Sequence, residues 1–243
     1  IEAQTPNGVE YIVDLEGGSS ILDTGAPDLD HFTTSIVIPD EGTTSIEVVS
    51  SSFRDYENVM VAPSKGNLSR SVIPSEVEYV YNDSYNQDSF YPGTLAELRA
   101  PYILRDLRGQ SVVIYPLQYN PQTKTLRVYS DIEVKVTTMG TGGVNALYRS
   151  ESKRSLSREY NNIYKDLFLN YANDTRFDYI VDEGNMLIIS YGDFMDEMQP
   201  LVDWKNRKGI PTDMVNVSSI GSSSTAIESF VDNYYYENGL TYL

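Results

Sequence analysis

Up to about residue 140 the apolar positions recur at every second residue. Over 126–136 the even positions are apolar apart from Ser130 and the odd ones mostly polar. A half-buried antiparallel strand requires this, since successive side chains leave on opposite faces. Ser111-Val112-Val113-Ile114-Tyr115 predicts the strand before it, and Asn120-Pro121-Gln122-Thr123-Lys124 predicts the turn that joins the two. Similar runs predict strands at 11–15, 35–38, 45–49 and 77–81, the middle two lying on either side of Pro39-Asp40-Glu41-Gly42. Short strands punctuated by turns, with almost no helical period, predict a β-sandwich over 1–150.

Gly140-Thr141-Gly142-Gly143 ends that pattern and starts a linker. Tyr160, Ile163, Tyr164, Leu167, Phe168 and Tyr171 then follow in steps of three and four, the spacing of one helix face. A helix over 155–171 is therefore expected inside a connecting segment of 151–177. From 178 to 243 an α/β order is expected. Met186-Leu187-Ile188-Ile189 is an unbroken apolar run, as in a parallel strand buried on both faces. A helix should follow over 193–208, with Phe194, Met198, Leu201 and Val202 inward and Lys205, Arg207 and Lys208 near the negative end of its dipole. Gly209 supplies its left-handed cap, Pro211 forbids continuation, and Pro200 inside it predicts a kink or a late start. A strand around 214–217 comes next, then a helix opened by the capping box Thr225-Ala226-Ile227-Glu228 and closed by Asn238-Gly239, then a strand begun by Leu240-Thr241-Tyr242-Leu243. This is half of an open, mostly parallel sheet, expected to need further strands to cover its core.

The 243 residues carry 35 acidic and 18 basic side chains, a formal charge of −17. Such an excess disfavours a nucleic-acid or anionic-membrane partner, because phosphates are repelled. No run approaches roughly 18 apolar residues, so no membrane span is expected. Position 1 is isoleucine, not methionine, so a leader, if there was one, is expected to have been removed. Cysteine is absent and histidine occurs once, at His31. These two counts leave no Cys/His dyad, no thiolate or His-rich zinc site and one conceivable Ser/His/Asp triad; no metal or cofactor is expected.

Carboxylates remain. Ile21-Leu22-Asp23-Thr24-Gly25-Ala26 spells the signature of a retroviral-type aspartic peptidase, in which two such loops share a proton between facing carboxylates; the other reading is an Asx-type turn between strands. Asp30 cannot easily orient His31, because neighbours on a strand point to opposite faces. Asp28 with Asp30, and Asp40 with Glu41, lack the spacing of a calcium loop.

Several stretches in order resemble the gingipain-like cysteine peptidases. The C-terminal part, from Met186-Leu187-Ile188-Ile189 through Leu201-Val202-Asp203-Trp204-Lys205-Asn206-Arg207-Lys208-Gly209 to Leu240-Thr241-Tyr242-Leu243, looks like the opening of that family's caspase-like domain. The β-rich part is similar to its propeptide in Gly25-Ala26-Pro27-Asp28-Leu29, Val61-Ala62-Pro63-Ser64, Tyr91-Pro92-Gly93 and Arg105-Asp106-Leu107-Arg108-Gly109 through Tyr115-Pro116-Leu117-Gln118-Tyr119-Asn120-Pro121. The resemblance implies a β-sandwich propeptide followed by a truncated caspase-like segment, in a secreted or cell-surface bacterial protein whose partner is its own catalytic domain. It implies that the catalytic histidine and cysteine lie on loops after later strands, so that this chain alone cleaves nothing. It also implies that a propeptide base silences the enzyme by filling its acidic specificity pocket, for which Arg108 and then Arg105 are the candidates, since a guanidinium fork engages a carboxylate with two bonds; each also reads as a surface arginine paired with Asp106 or Glu97. Processing is expected after Arg176, which aligns with the family's junction, or after Arg149, Arg154 or Arg158. A non-catalytic adhesion sandwich, and an aspartic peptidase using Asp23, stay as alternatives.

Overall fold

The computed structural model describes residues 1–148, 158–171 and 184–243. The chain divides into two compact units, one of 1–150 with 167–172, the other of 151–166 with 173–243.

The first unit is strand-rich, with several small antiparallel sheets. β1 (Glu2–Thr5) and β2 (Gly8–Tyr11) form a hairpin. β3 (Ser19–Ser20) pairs with β4 (Asp30–Val37), whereas β5 (Thr43–Tyr56) belongs to another sheet. β6 (Ala96–Leu98), β7 (Tyr102–Leu104), β8 (Leu107–Ile114), β9 (Leu117–Asn120) and β10 (Thr125–Met139) complete the set. One sheet has the order β3-β4-β8-β6 with β7 also on β8, and another the order β5-β10-β9.

The turn at 120–124 joins β10 to β9, not to the strand expected at 111–115. Pro116 has no amide hydrogen to give a ladder, and on either side of it the chain divides into β8 and β9, which lie in different sheets. β5 and β10 are far longer than their alternating cores suggest and pair along nearly their whole length. Two extra residues interrupt that ladder, Ser130 on β10 and Val49 on β5. Residues 77–81 are not a strand. Tyr81 instead donates its hydroxyl to the buried Glu10, 2.5 Å away, and Lys65 sits over the Tyr79 ring, so side-chain anchors replace a ladder. β2 likewise stops at Tyr11, whose amide donates to the Met60 carbonyl at 2.7 Å.

Leu29, Val61, Leu117, Tyr119 and Leu126 form the buried apolar cluster. All four residues of β9 are buried, and its polar members are satisfied: Gln118 donates to the Thr94 and Tyr115 carbonyls and Asn120 to Asp88.

α1 (Arg158–Leu167) is shorter than the expected helix, of which 155–157 lie outside the described residues. It ends where the next residues are claimed by β4: Phe168 bridges Ser35, and Asn170 exchanges hydrogen bonds with the Val37 amide and carbonyl.

In the second unit, β11 (Met186–Ser190) runs parallel to β12 (Thr212–Asn216) in the register Met186 to Thr212, and Tyr242 bridges Met186 on the other edge, also in parallel. α2 (Met195–Arg207) connects the two strands and carries Pro200 within its length. It starts two residues later than expected, because 192–194 form a 3-10 turn that leaves Phe194 exposed, not inward. Gly209 takes φ 85 at its end as expected. α3 (Val217–Ile220) precedes α4 (Ser224–Asn238), whose cap is Ser223 accepting from the Ala226 amide, in place of the predicted box beginning at Thr225.

Candidate functional site

β8 is the hub of its sheet, with β4 on one edge and both β6 and β7 on the other. β7 folds back on it in a tight hairpin, Tyr102 opposite Gly109, Ile103 opposite Arg108 and Leu104 opposite Leu107. Gly109 is obligatory here. A Cβ at that position would stand 2.6 Å from the Phe168 ring and 2.8 Å from that of Tyr102, two rings that stack with an interplanar angle of 17°. The turn of the hairpin is Arg105-Asp106, with Arg105 at φ 49, an uncommon conformation for a side-chain-bearing residue. Its Nε lies 3.4 Å from Asp106 Oδ2.

Arg108, three residues on, has no exposed surface. Its Nη1 donates to the Pro39 carbonyl at 3.0 Å, and its Nη2 to the carbonyls of Gly42 at 3.0 Å and Val144 at 2.7 Å. The guanidinium thus ties the loop after β4 and the segment after β10 to the centre of the sheet. Around it the Gly42 amide donates to the Gly142 carbonyl at 2.6 Å, and the Gly142 amide to Glu41 Oε2 at 2.8 Å. The Arg-Asp-Leu-Arg motif therefore holds Arg105, its side chain 19% exposed, at a hairpin turn and Arg108 fully inside the domain. Glu97 is engaged elsewhere, by Arg99 and by the Tyr115 hydroxyl. Burial, then that bond, pushes the Tyr115 phenol up to about 12.

The remaining sequence candidates separate. Asp23 is exposed in a turn, its Oδ2 accepting from the Tyr91 hydroxyl at 3.3 Å, and Gly25 at φ 82 donates to the Ser64 carbonyl. Burial, reinforced by the Asp23 charge, pushes the Tyr91 phenol up. Asp30 is buried on β4 and accepts from the Leu15 amide and the Ser20 hydroxyl, both at 2.9 Å. The neighbouring His31 instead sets its ring 5.7 Å from that of Tyr115, so the two do not form a dyad. Asp28 lies partly buried beside Asp30. Desolvation, then the Asp30 charge, raises its carboxyl above the ordinary value, against a lowering bond from Ser64. Among the described residues no three His, Asp or Glu side chains are gathered as a metal would need. Arg149, Arg154 and Arg176 lie outside the described residues, and Arg158 is the first residue of α1.

The buried Arg108 cage was missed by sequence reasoning. Its signal was present in Gly42 and Gly143, which read as turn and linker but are the glycines that let the loop after β4 and the segment after β10 come together beside the guanidinium.

Comparison with known proteins covers the chain in two parts. A family model described as Propeptide_C25 matches residues 1–168, and one described as Peptidase family C25 matches 181–243. Gingipain R2 of Porphyromonas gingivalis is 39% identical over 99% of this chain and 33% of its own length. Lys-gingipain of the same organism is 24% identical over 96% of this chain. The chain thus spans about a third or less of the length of the curated relatives it matches. The solved complex of Porphyromonas gingivalis RgpB pro- and mature domains aligns with a TM-score of 0.64 at 40% identity, covering 70% of this chain and 86% of that one.

Proposed function

This chain belongs to the gingipain family of C25 cysteine peptidases, carrying the propeptide and the first part of the peptidase domain, and from that premise we propose that residues 1–150 keep the peptidase latent and assist its folding. The first unit is read as a propeptide β-sandwich and the second as the opening of a caspase-like sheet. Supporting the latter is the parallel order of β12, β11 and Tyr242, with α2 as the crossover between the first two strands. The protein is read as exported, to the medium or the cell surface. The chain has no cysteine, so it brings no thiolate nucleophile of its own.

The observation that carries the latency reading is the Arg105-Asp106 turn. The Arg105 side chain is 19% exposed, and swung out from the hairpin turn it would reach an acidic pocket, where a guanidinium fork meets a carboxylate. A base held rigidly there inhibits, because it cannot reach the geometry of attack. Arg108 is buried, its fork already spent on the carbonyls of Pro39, Gly42 and Val144. Release is read as cleavage after Arg176, or after Arg149, Arg154 or Arg158.

The test is inhibition of the mature domain of RgpB by this chain added in trans, the chain alone hydrolysing neither Arg nor Lys substrates. Arg105→Ala should raise the inhibition constant by about tenfold or more, the loss expected for a charge-assisted pair. Arg176→Ala should leave inhibition intact and block release. Equal inhibition by wild type and Arg105→Ala would refute the pocket assignment, and pepstatin-sensitive hydrolysis abolished by Asp23→Asn would refute the class.

A further inference from the structure

The long ribbon of β5 and β10 leaves one strand edge open. β5 is 14 residues long and pairs only with β10 among the described strands, so its outer row of amides and carbonyls faces outward. Its residues from 47 to 56 are exposed, Val48 at 39%, Val49 at 54% and Phe53 at 49%. Edges are normally blunted with proline, charged side chains or bulges; β5 has no proline or lysine, and its charges, Glu47, Arg54 and Asp55, flank the apolar Val48 to Phe53 stretch and its bulge.

The register with β10 sorts β5 into two faces. Val48 is opposite Val134 and Phe53 opposite Tyr129, whereas Glu47 is opposite Lys135 and Arg54 opposite Val128. Val49 is the extra residue of a bulge, so alternation restarts after it. Val48, Ser51 and Phe53 consequently lie on one face, and Glu47, Ser50, Ser52 and Arg54 on the other. The ring contact of Phe53 with Tyr129 and the ion pair of Glu47 with Lys135 agree with that division.

We propose that β5 pairs edge to edge, antiparallel, with β5 of a second copy of this chain, about a two-fold axis through Ser51. In that register Ser50 of one copy meets Ser52 of the other on a shared face. One step further out Val48 meets Phe53 on the apolar face, and beyond it Glu47 meets Arg54 on the polar face. Every pair occurs twice by symmetry, as an isologous contact demands. The bulge is what makes this work. Without Val49 as an extra residue, Val48 would fall opposite Arg54 and the charges would lose each other. Cross-strand apolar and opposite-charge pairs are the contacts that stabilise a ladder, and here the same short segment supplies both halves of each. The pairing joins the two three-stranded sheets into one of six strands. The contact is small against the roughly 800 Å² per partner of a standard interface, which points to a dimer of micromolar affinity. It is independent of the latency reading, since it uses neither Arg105 nor the peptidase domain.

Sedimentation velocity on the full chain tests it. Wild type should be a dimer at about 100 µM and dissociate on dilution through the micromolar range. Glu47→Arg and Arg54→Glu should each weaken the dimer by about tenfold or more, because like charges then face one another twice. The double variant Glu47→Arg/Arg54→Glu should restore it. Glu47 and its Lys135 partner are both exposed, so an unchanged melting curve will show that the single variants fold. A monomeric wild type would overturn the proposal, as would single variants that dimerise normally or a double variant that stays monomeric. Protection of the β5 amides from hydrogen exchange only after mature peptidase is added would also overturn it, naming the peptidase as occupant.

Discussion

The surroundings of Arg108 and the middle of the β5–β10 ribbon are both antiparallel strand, yet they are held in opposite ways. At Arg108 a side chain reaches out of the strand and fastens two loops through their carbonyls. Along residues 47–53 the ladder to β10 is the main bond, and the β5 side chains there stand in solvent. The first arrangement makes tertiary structure depend on a single residue. The second spreads the load over many backbone bonds, so that side chains there are free to recognise something else. Substitutions in the two regions should therefore behave very differently.

The largest effect is expected at Arg108. Arg108→Ala removes three hydrogen bonds, one of them to the buried Gly42 carbonyl, and leaves a cavity, which should cost about 3 kcal/mol. Urea unfolding followed by tyrosine fluorescence will measure it. Ser51→Ala, at the centre of the ribbon, should stay within about 0.5 kcal/mol. If the two variants unfolded at the same urea concentration, the contrast between the regions would be lost.

This contrast was only half legible in the sequence. The alternation over 126–136 marks β10, but its length and its partner β5 depend on long-range pairing that no local pattern contains. Arg105 and Arg108 look equivalent in the chain, three residues apart in one motif. What separates them is turn geometry at Arg105 and, at Arg108, carbonyls contributed by Pro39, Gly42 and Val144. Residues 77–81 have strand-like residues, but Tyr79 and Tyr81 are committed to Lys65 and Glu10. The second unit was easier to read, because its helix caps and apolar runs are local signals. Ser223 shows one error there, beside the late start of α2: a Ser-rich stretch offers several caps, and the one used is set by where α4 must start.

An intermediate effect is expected in the glycine run that closes the Arg108 cage. A Cβ on Gly143, at φ 96, would lie 2.5 Å from the Gly42 carbonyl oxygen and 3.3 Å from Arg108 Nη2. Gly143→Ala should thus add a clash with backbone to the cost of its left-handed conformation, about 2 kcal/mol together. Gly140, in the same run at φ 74, has no atom within 4 Å of such a Cβ, and Gly140→Ala should cost only about 1 kcal/mol. Thermal melts of the two variants will sharpen the comparison, since a linker would tolerate both equally.

The smallest effect concerns charge and not shape. Asp28 lines a cavity of about 300 Å³ with Ser64, Lys65 and Tyr79, and Asp30 lies close enough to raise its carboxyl further. Its folded pKa lies above the unfolded value, so the folded chain holds that proton more tightly. The stabilisation from protonation is complete below the unfolded pKa and is lost as pH rises through the folded one. At neutral pH the ionised carboxylate therefore costs stability. Asp28→Asn should raise the melting temperature at pH 7 by less than Gly140→Ala lowers it. It should also remove this site's share of the difference between neutral pH and about pH 4. If the variant melted lower than wild type at pH 7, the Ser64 bond would outweigh burial, and the charged form would be the one the cavity is built to hold.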